Sequence, residues 1–196
     1  MATKRRIIGF DRKIQLAWLD ATADWAAQGL SVPEIRSKLH ELLAAEVPGG
    51  SYRGAREKTI TVLLHIWVLV PDHLVPVRDD GLRLLRGLSG QDRLPLHWGM
   101  CMASYPFFRD VAATTGRLLA LQGTAVLSQI TRRMAGVWGD RSTLTRAVQR
   151  VLRSLVFWGT LHETSDRGIF APAPKRRVKD STRLSPWLLE ASILNS

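Results

Sequence analysis

One cysteine, Cys101, occurs in 196 residues, so the chain can neither close an internal disulfide nor anchor a cysteine zinc site, and a disulfide-stapled secreted domain is excluded. A cytoplasmic location is expected. Long apolar runs are lacking as well: the longest, Ile60 to Val70, contains His65 and falls well short of the roughly 20 residues that cross a bilayer. The opening MATKRR is basic, but the IIGFDRKIQ that follows lacks the apolar region and small-residue cleavage site of a signal peptide, and no export is expected. There is no fixed-period repeat and no low-complexity stretch, which argues against a solenoid or array.

Catalytic constellations are missing too. Neither G-x-x-x-x-G-K-[ST] nor G-x-G-x-x-G occurs, so nucleotide hydrolysis and dinucleotide binding have no support. Gly87-Leu88-Ser89-Gly90 resembles part of a nucleophile elbow, but Gln91 stands where the last glycine is needed and no strand precedes it. Metal-dependent nuclease chemistry needs clustered carboxylates. Asp72 and the pair Asp79-Asp80 are the only candidates, and no D/E-x-K follows them. His40, His65, His73, His97 and His162 have no metal-ligand spacing. Cys101 lies in an apolar stretch and reads as buried rather than nucleophilic. The seven tryptophans, at 18, 25, 67, 98, 138, 158 and 187, fall mostly within apolar patterns and read as core rather than base-stacking platforms. No catalytic residue, metal or cofactor is expected, and the chain is read as a non-enzyme.

Acidic side chains are the remaining scarcity. Against 28 Lys and Arg there are 17 Asp and Glu, a net charge of +11. The excess is uneven: +3 over residues 1–60, zero over 61–110 and +8 over 111–196. Such a chain is suited to bind a polyanion, nucleic acid before an acidic membrane surface. With 45% hydrophobic residues the chain is globular, and its length suits one domain or two small ones.

What is present reads as helices punctuated by Gly and Pro. The spacing of Ile14, Ala17, Trp18, Ala21 and Trp25 predicts a helix over about 11–28, stopped by Gly29. Ser31 and Glu34 form an S-x-x-E capping box, with Pro33 in the first turn, and open a second helix that ends before Pro48. A third covers about 54–69, apolar nearly all round after Ile60 and therefore central to the core. Further helices are expected over 79–88, over 95–105, and from Pro106 through Leu119. The second and third helices, joined by VPGGSYRG, could form a helix-turn-helix in which Tyr52, Arg53, Arg56 and Lys58 touch phosphates; a purely structural three-helix unit with a solvated basic loop is the alternative.

The C-terminal third is sharper. Thr124 is expected to cap a helix reaching Val137, residues 138–141 to turn, and Ser142 to cap a helix continuing to Phe157. At about 100° per residue, Leu144, Ala147, Val148, Val151, Leu152 and Leu155 share one face. Thr143, Arg146, Gln149, Arg150 and Arg153 fall opposite, on about the strip a helix offers to a major groove. With four arginines and no acid from Arg141 to Arg153, a face laced by internal salt bridges is not expected. TLHET (160–164), the turn 165–168 and IFAPA (169–173) read as a short hairpin with Arg167 at its tip, followed by Lys175, Arg176, Arg177 and Lys179. Helix, turn, helix, hairpin is the winged helix-turn-helix plan, here at about 106–178.

GLSVPEI (29–35), YPFFRDV (105–111) and DRSTLTRAVQRVLRSLVFWGTL (140–161), in that order, resemble the layout of the BrxA-like family, small all-helical DNA-binding accessory proteins of bacterial BREX phage-defence systems. Residues from about Pro71 to Trp98 have no counterpart in it, and the arginine-rich helix is more basic than in that pattern. The resemblance implies double-stranded DNA binding without catalysis, beside other defence subunits that carry modification and motor activities.

The expectation is an all-α protein, a helical bundle of helix-turn-helix units with a C-terminal winged helix, divided into 1–78 and 79–196 around one shared core. It binds double-stranded DNA through Ser142, Thr143, Arg146, Gln149, Arg150, Arg153, Arg167 and the basic segment after the hairpin. The rivals are a winged-helix transcription regulator, which would need a dimer and a palindrome, a structural subunit docking an acidic protein, and an RNA-binding factor.

Overall fold

The computed structural model describes residues 7–49, 51, 54–175 and 181–194. Among them are nine α-helices and three short strands: α1 (Leu16–Ala27), α2 (Val32–Leu42), α3 (Ala55–Trp67), α4 (Val75–Leu85), α5 (Leu94–Ser104), α6 (Pro106–Gln122), β1 (Ala125–Val126), α7 (Leu127–Trp138), α8 (Leu144–Phe157), β2 (Leu161–Glu163), β3 (Ile169–Pro172) and α9 (Ser181–Ile193). The fold is therefore mostly helical, with one small antiparallel sheet. The chain divides into two compact units, Met1–Lys13 with Tyr105–Arg176, and Ile14–Ser104 with Arg177–Ser196. The expected boundary after residue 78 falls inside α4.

In the second of these units α3 packs against α1, α2 and α5, and α9 packs on α4 and α5; Ile60, Leu63, Leu64, Ile66 and Trp67 of α3 are fully buried. The capping box forms: the Glu34 carboxylate accepts the Ser31 backbone N–H at 2.8 Å and the Ser31 hydroxyl at 2.6 Å. The first helix starts at Leu16 rather than 11 and buries Trp18, Leu19, Thr22 and Ala23. Its face is thus rotated from the expected one, leaving Ala17 exposed and Trp25 half-buried, because Leu19 and Ala23 bring an equally spaced apolar pair next to Trp18. The helix expected at 79–88 begins four residues earlier, since Pro76 is tolerated in its first turn.

Trp187 of α9 shows why two helix glycines are needed. A Cβ at Gly99 would meet the Trp187 ring at 2.4 Å and one at Gly81 at 2.8 Å, so α5 and α4 approach the indole edge by lacking side chains there. The indole N–H donates to the Val77 carbonyl at 2.9 Å. A Cβ at Gly81 would also meet the Trp67 ring at 3.3 Å; the Trp67 N–H donates to His97 Nδ1 at 3.1 Å, and His97 Nε2 meets Asp20 at 2.9 Å.

The other unit is built on α6, α7 and α8, which pack on one another. Phe10, from the N-terminal segment, lies edge-on to Tyr105 with centroids 5.5 Å apart and against Phe108 at 5.1 Å. Trp138 ends α7 in a T-shaped contact with Phe107 at 5.1 Å, and its indole N–H donates to Asp110 at 2.9 Å. The sheet order is β1-β3-β2, with Ala125 opposite Phe170 and Glu163 also opposite Phe170 on the far side.

Two expected caps are corrected. Thr124 does not cap a helix, because Ala125–Val126 stays extended to pair with β3 and α7 starts only at Leu127. Nor does Ser142 cap α8: the flanking residue is Thr143, already helical in backbone and without a side-chain cap. The start is made instead by a turn, Leu144 N–H to the Arg141 carbonyl at 2.9 Å, with Arg141 itself tied to the Trp138 carbonyl at 2.8 Å.

Candidate nucleic-acid interface

Helix α8 runs 14 residues, about 21 Å at 1.5 Å per residue. Leu144, Ala147, Val148, Val151, Leu152 and Leu155 are all buried, as their spacing predicts. Thr143, Arg146, Gln149, Arg150 and Arg153 are exposed on the opposite face, and so are Ser142 before the helix and Arg167 at the hairpin turn. The hydrophobic face fixes the rotation of the helix, and that rotation alone presents the arginines together.

The hairpin stands beside this face. Between them lies a concavity of about 300 Å³, walled by Arg146, Gln149, Arg150 and Arg153 from the helix and by Glu163 and Arg167 from the hairpin. Gly168, at φ +81°, is held from two directions. Its N–H donates to Glu163 Oε1 at 2.8 Å, and its carbonyl accepts the Leu127 N–H at 2.8 Å. The hairpin turn is therefore anchored to its own β2 and to the first residue of α7.

One expectation about this face fails. Arg153 is not free of acid partners, since its Nη1 lies 2.8 Å from Glu163 Oε2. Counting charges along α8 misses it because the partner comes from β2. Arg146, Arg150 and Arg167 form no ion pair among the described residues. Lys175 is exposed, whereas Arg176, Arg177 and Lys179 lie outside the described residues. Arg132 and Arg133, exposed on α7 of the same unit, escaped the sequence reading, which followed only the later helix.

The second candidate face is used differently. Arg56 donates from Nε to the Val47 carbonyl at 2.9 Å and from Nη2 to the Ala44 carbonyl at 3.1 Å, binding down the loop before α3. Glu57 pairs with Arg36 and accepts from or meets His40 at 2.9 Å. Lys58 is exposed, and Tyr52 and Arg53 lie outside the described residues. What is visible of this region is a stapled loop, as in the structural three-helix alternative.

Charge follows the same division. The unit that holds α8 has 16 Lys and Arg against 5 Asp and Glu, a net +11, while the other has 12 of each. The whole excess of the protein thus belongs to one unit. The carboxylates once considered for metal chemistry sit in the neutral unit, where Asp79 pairs with Arg78 at 2.5 Å and Asp80 with Arg83. Among the described residues no three His, Cys, Asp or Glu side chains gather to hold a metal. Burial pushes the Cys101 thiol well above its ordinary range, which keeps it protonated. No single helix among the described residues is long and apolar enough to cross a membrane.

No protein-family model, curated protein or solved structure matches the chain.

Proposed function

We propose that the protein binds double-stranded DNA without catalysis, with α8 as the helix entering the major groove and the β2–β3 hairpin as a wing. The observation that carries this reading is the concentration of charge. Three arginines that form no ion pair among the described residues, Arg146, Arg150 and Arg167, face one concavity in a unit that holds the entire +11. A buried stripe on the reverse of α8 turns Arg146 and Arg150 to this side, and the bonds of Gly168 to Glu163 and Leu127 seat the turn that carries Arg167, so the positive face follows from the fold. The order α6, β1, α7, α8, β2, β3 fits a winged helix-turn-helix, in which the later helix reads the groove and the wing reaches an adjoining one. Neutralising phosphates releases counterions, so such a face binds duplexes generally and with strong salt dependence. The resemblance to the BrxA-like family takes the reading one step further, to an accessory protein of a BREX-type phage-defence system that works beside other subunits.

The test is duplex binding at two salt concentrations by the wild type and by a variant with Arg146, Arg150 and Arg167 replaced by Ala. Each lost phosphate contact lowers the log-log salt slope by about 0.9. Wild-type affinity and slope in a variant that melts normally would remove DNA from this face and favour an acidic protein partner. Competition with duplex RNA, whose deep narrow major groove excludes a helix, separates the RNA reading.

A further inference from the structure

We propose that Glu163 is a specificity-determining positioning residue, one that withdraws Arg153 from phosphate contact and fixes it to read a base edge; this rests on the DNA reading above. A carboxylate is the least suitable group for a surface that only tracks phosphates, yet Glu163 stands in the wall of the arginine-lined concavity. It is mostly shielded, at 20% side-chain exposure, while Arg153 is 46% exposed and open to a ligand. One carboxylate oxygen holds the Arg153 guanidinium at 2.8 Å and the other takes the Gly168 N–H at 2.8 Å. Both oxygens of the acid are therefore engaged, and the arginine is oriented from its Nη1 end.

An arginine fork carries five N–H donors. With Nη1 engaged by Glu163, the guanidinium, which lines the concavity and is 46% exposed, keeps further donors for a ligand, but the local charge is cancelled. Such a group has little general attraction for phosphate and keeps its directional bonds. The acceptors that suit a fixed guanidinium in the major groove are guanine O6 and N7, and a carboxylate next to it suits the cytosine N4 amine. The pair thus complements a G·C base pair, whereas Arg146, Arg150 and Arg167 supply the sequence-independent attraction.

Three variants decide it: Glu163→Gln, Arg153→Gln and the double variant. Each is measured for salt slope and for the affinity ratio between the best duplex selected from a random pool and a scrambled one. The glutamine amide oxygen still accepts the Gly168 N–H, so the hairpin keeps its anchor. Glu163→Gln frees Arg153 for phosphate and should raise the slope by about one unit while cutting the ratio by about tenfold. Arg153→Gln should cut the ratio with the slope unchanged, in contrast to Arg150→Gln, which should lower the slope by about one. In the Arg153→Gln background Glu163→Gln should add nothing. Unchanged slope and ratio in Glu163→Gln would overturn the proposal, as would an equal loss on all duplexes with an unchanged slope, the mark of a purely structural carboxylate. Should Glu163→Gln fail to fold, a lowered slope in Arg153→Gln overturns it. A wild type that binds no duplex even at low salt instead overturns the DNA reading, and this inference with it.

Discussion

Arginine does two different jobs in the two units. In the neutral unit Arg36 is paired with Glu57, Arg83 with Asp80, and Arg93 lies 2.9 Å from Asp24 and 3.4 Å from Asp20, while Arg56 is bound to two backbone carbonyls. In the basic unit Arg146, Arg150 and Arg167 stand exposed and form no ion pair among the described residues. The residue type is the same, but its partner decides whether it staples the fold or offers charge to a ligand. Net charge of the whole chain therefore says less about binding than the location of the arginines that the fold leaves without acids.

The largest effect should come from breaking that contrast by charge-matched substitution. Replacing Arg146, Arg150 and Arg167 by Ala should lower the salt slope of duplex binding by about 2 to 3 units. Replacing Arg83, Arg86 and Arg183, exposed in the neutral unit, removes as many charges and should leave the slope close to wild type. Equal losses in a filter-binding or anisotropy titration would mean that affinity follows total charge and that α8 is not the site.

Core substitutions sharpen the comparison at the level of packing. Leu155→Ala, at a site 2% exposed behind the arginine face, should cost about 2 to 5 kcal/mol in chemical denaturation. An unchanged midpoint would show that α8 is rotated from the orientation described. In the neutral unit Gly99→Ala drives a methyl to 2.4 Å from the Trp187 ring and should cost about 1 to 3 kcal/mol through overpacking. A stabilised Gly99→Ala protein would mean that α9 does not dock on α5 through Trp187.

The smallest effect is a pH dependence confined to the neutral unit. Burial holds the His97 imidazolium back, so its pKa is lowered from the ordinary 6.5, against the opposing pull of Asp20. The Trp67 N–H donates to Nδ1, which leaves Nε2 as the protonated nitrogen facing Asp20, and a second proton would displace the tryptophan. The unfolded chain then binds a proton that the folded one refuses. The contribution is full above about pH 6.5 and falls as pH drops below it, by at most about 1.4 kcal/mol per unit. Melting temperatures from pH 7.5 to 5 check this, and a His97→Gln variant, less stable at pH 7.5, should lose that part of the slope.

Local chemistry was legible in the sequence and tertiary partnership was not. The α8 faces follow from one periodic stripe, Leu144 to Leu155, and the Ser31–Glu34 box from a four-residue motif, so both are readable without the fold. Residues 125–126 read as a helix start in the sequence because two extended residues carry no periodicity; only pairing with Phe170 and Ile169 makes them a strand. The Arg153–Glu163 pair is likewise invisible in the sequence, because the acid comes from β2 and not from the helix that carries the arginine. The split at residue 78 failed because each unit is discontinuous, with the N-terminal segment and α9 each joined to residues far along the chain. That discontinuity also hides the charge segregation, since counts over consecutive sequence segments mix the two units.

The pairing of β1 with β3 also sets an order of events during folding. The two strands are separated by the whole of α7, α8 and β2, so bringing them together closes a long loop, and the entropy of closure is recovered only after the intervening helices have packed. The concavity has one wall on α8 and the other on the hairpin, and Gly168 seats that hairpin through its bond from Leu127. A chain still emerging from the ribosome, with α8 made but β3 not yet synthesised, holds its arginines on an open helix and lacks the second wall. The proposed binding face is therefore complete only when the last strand of its unit is in place, and an unfinished chain does not carry it.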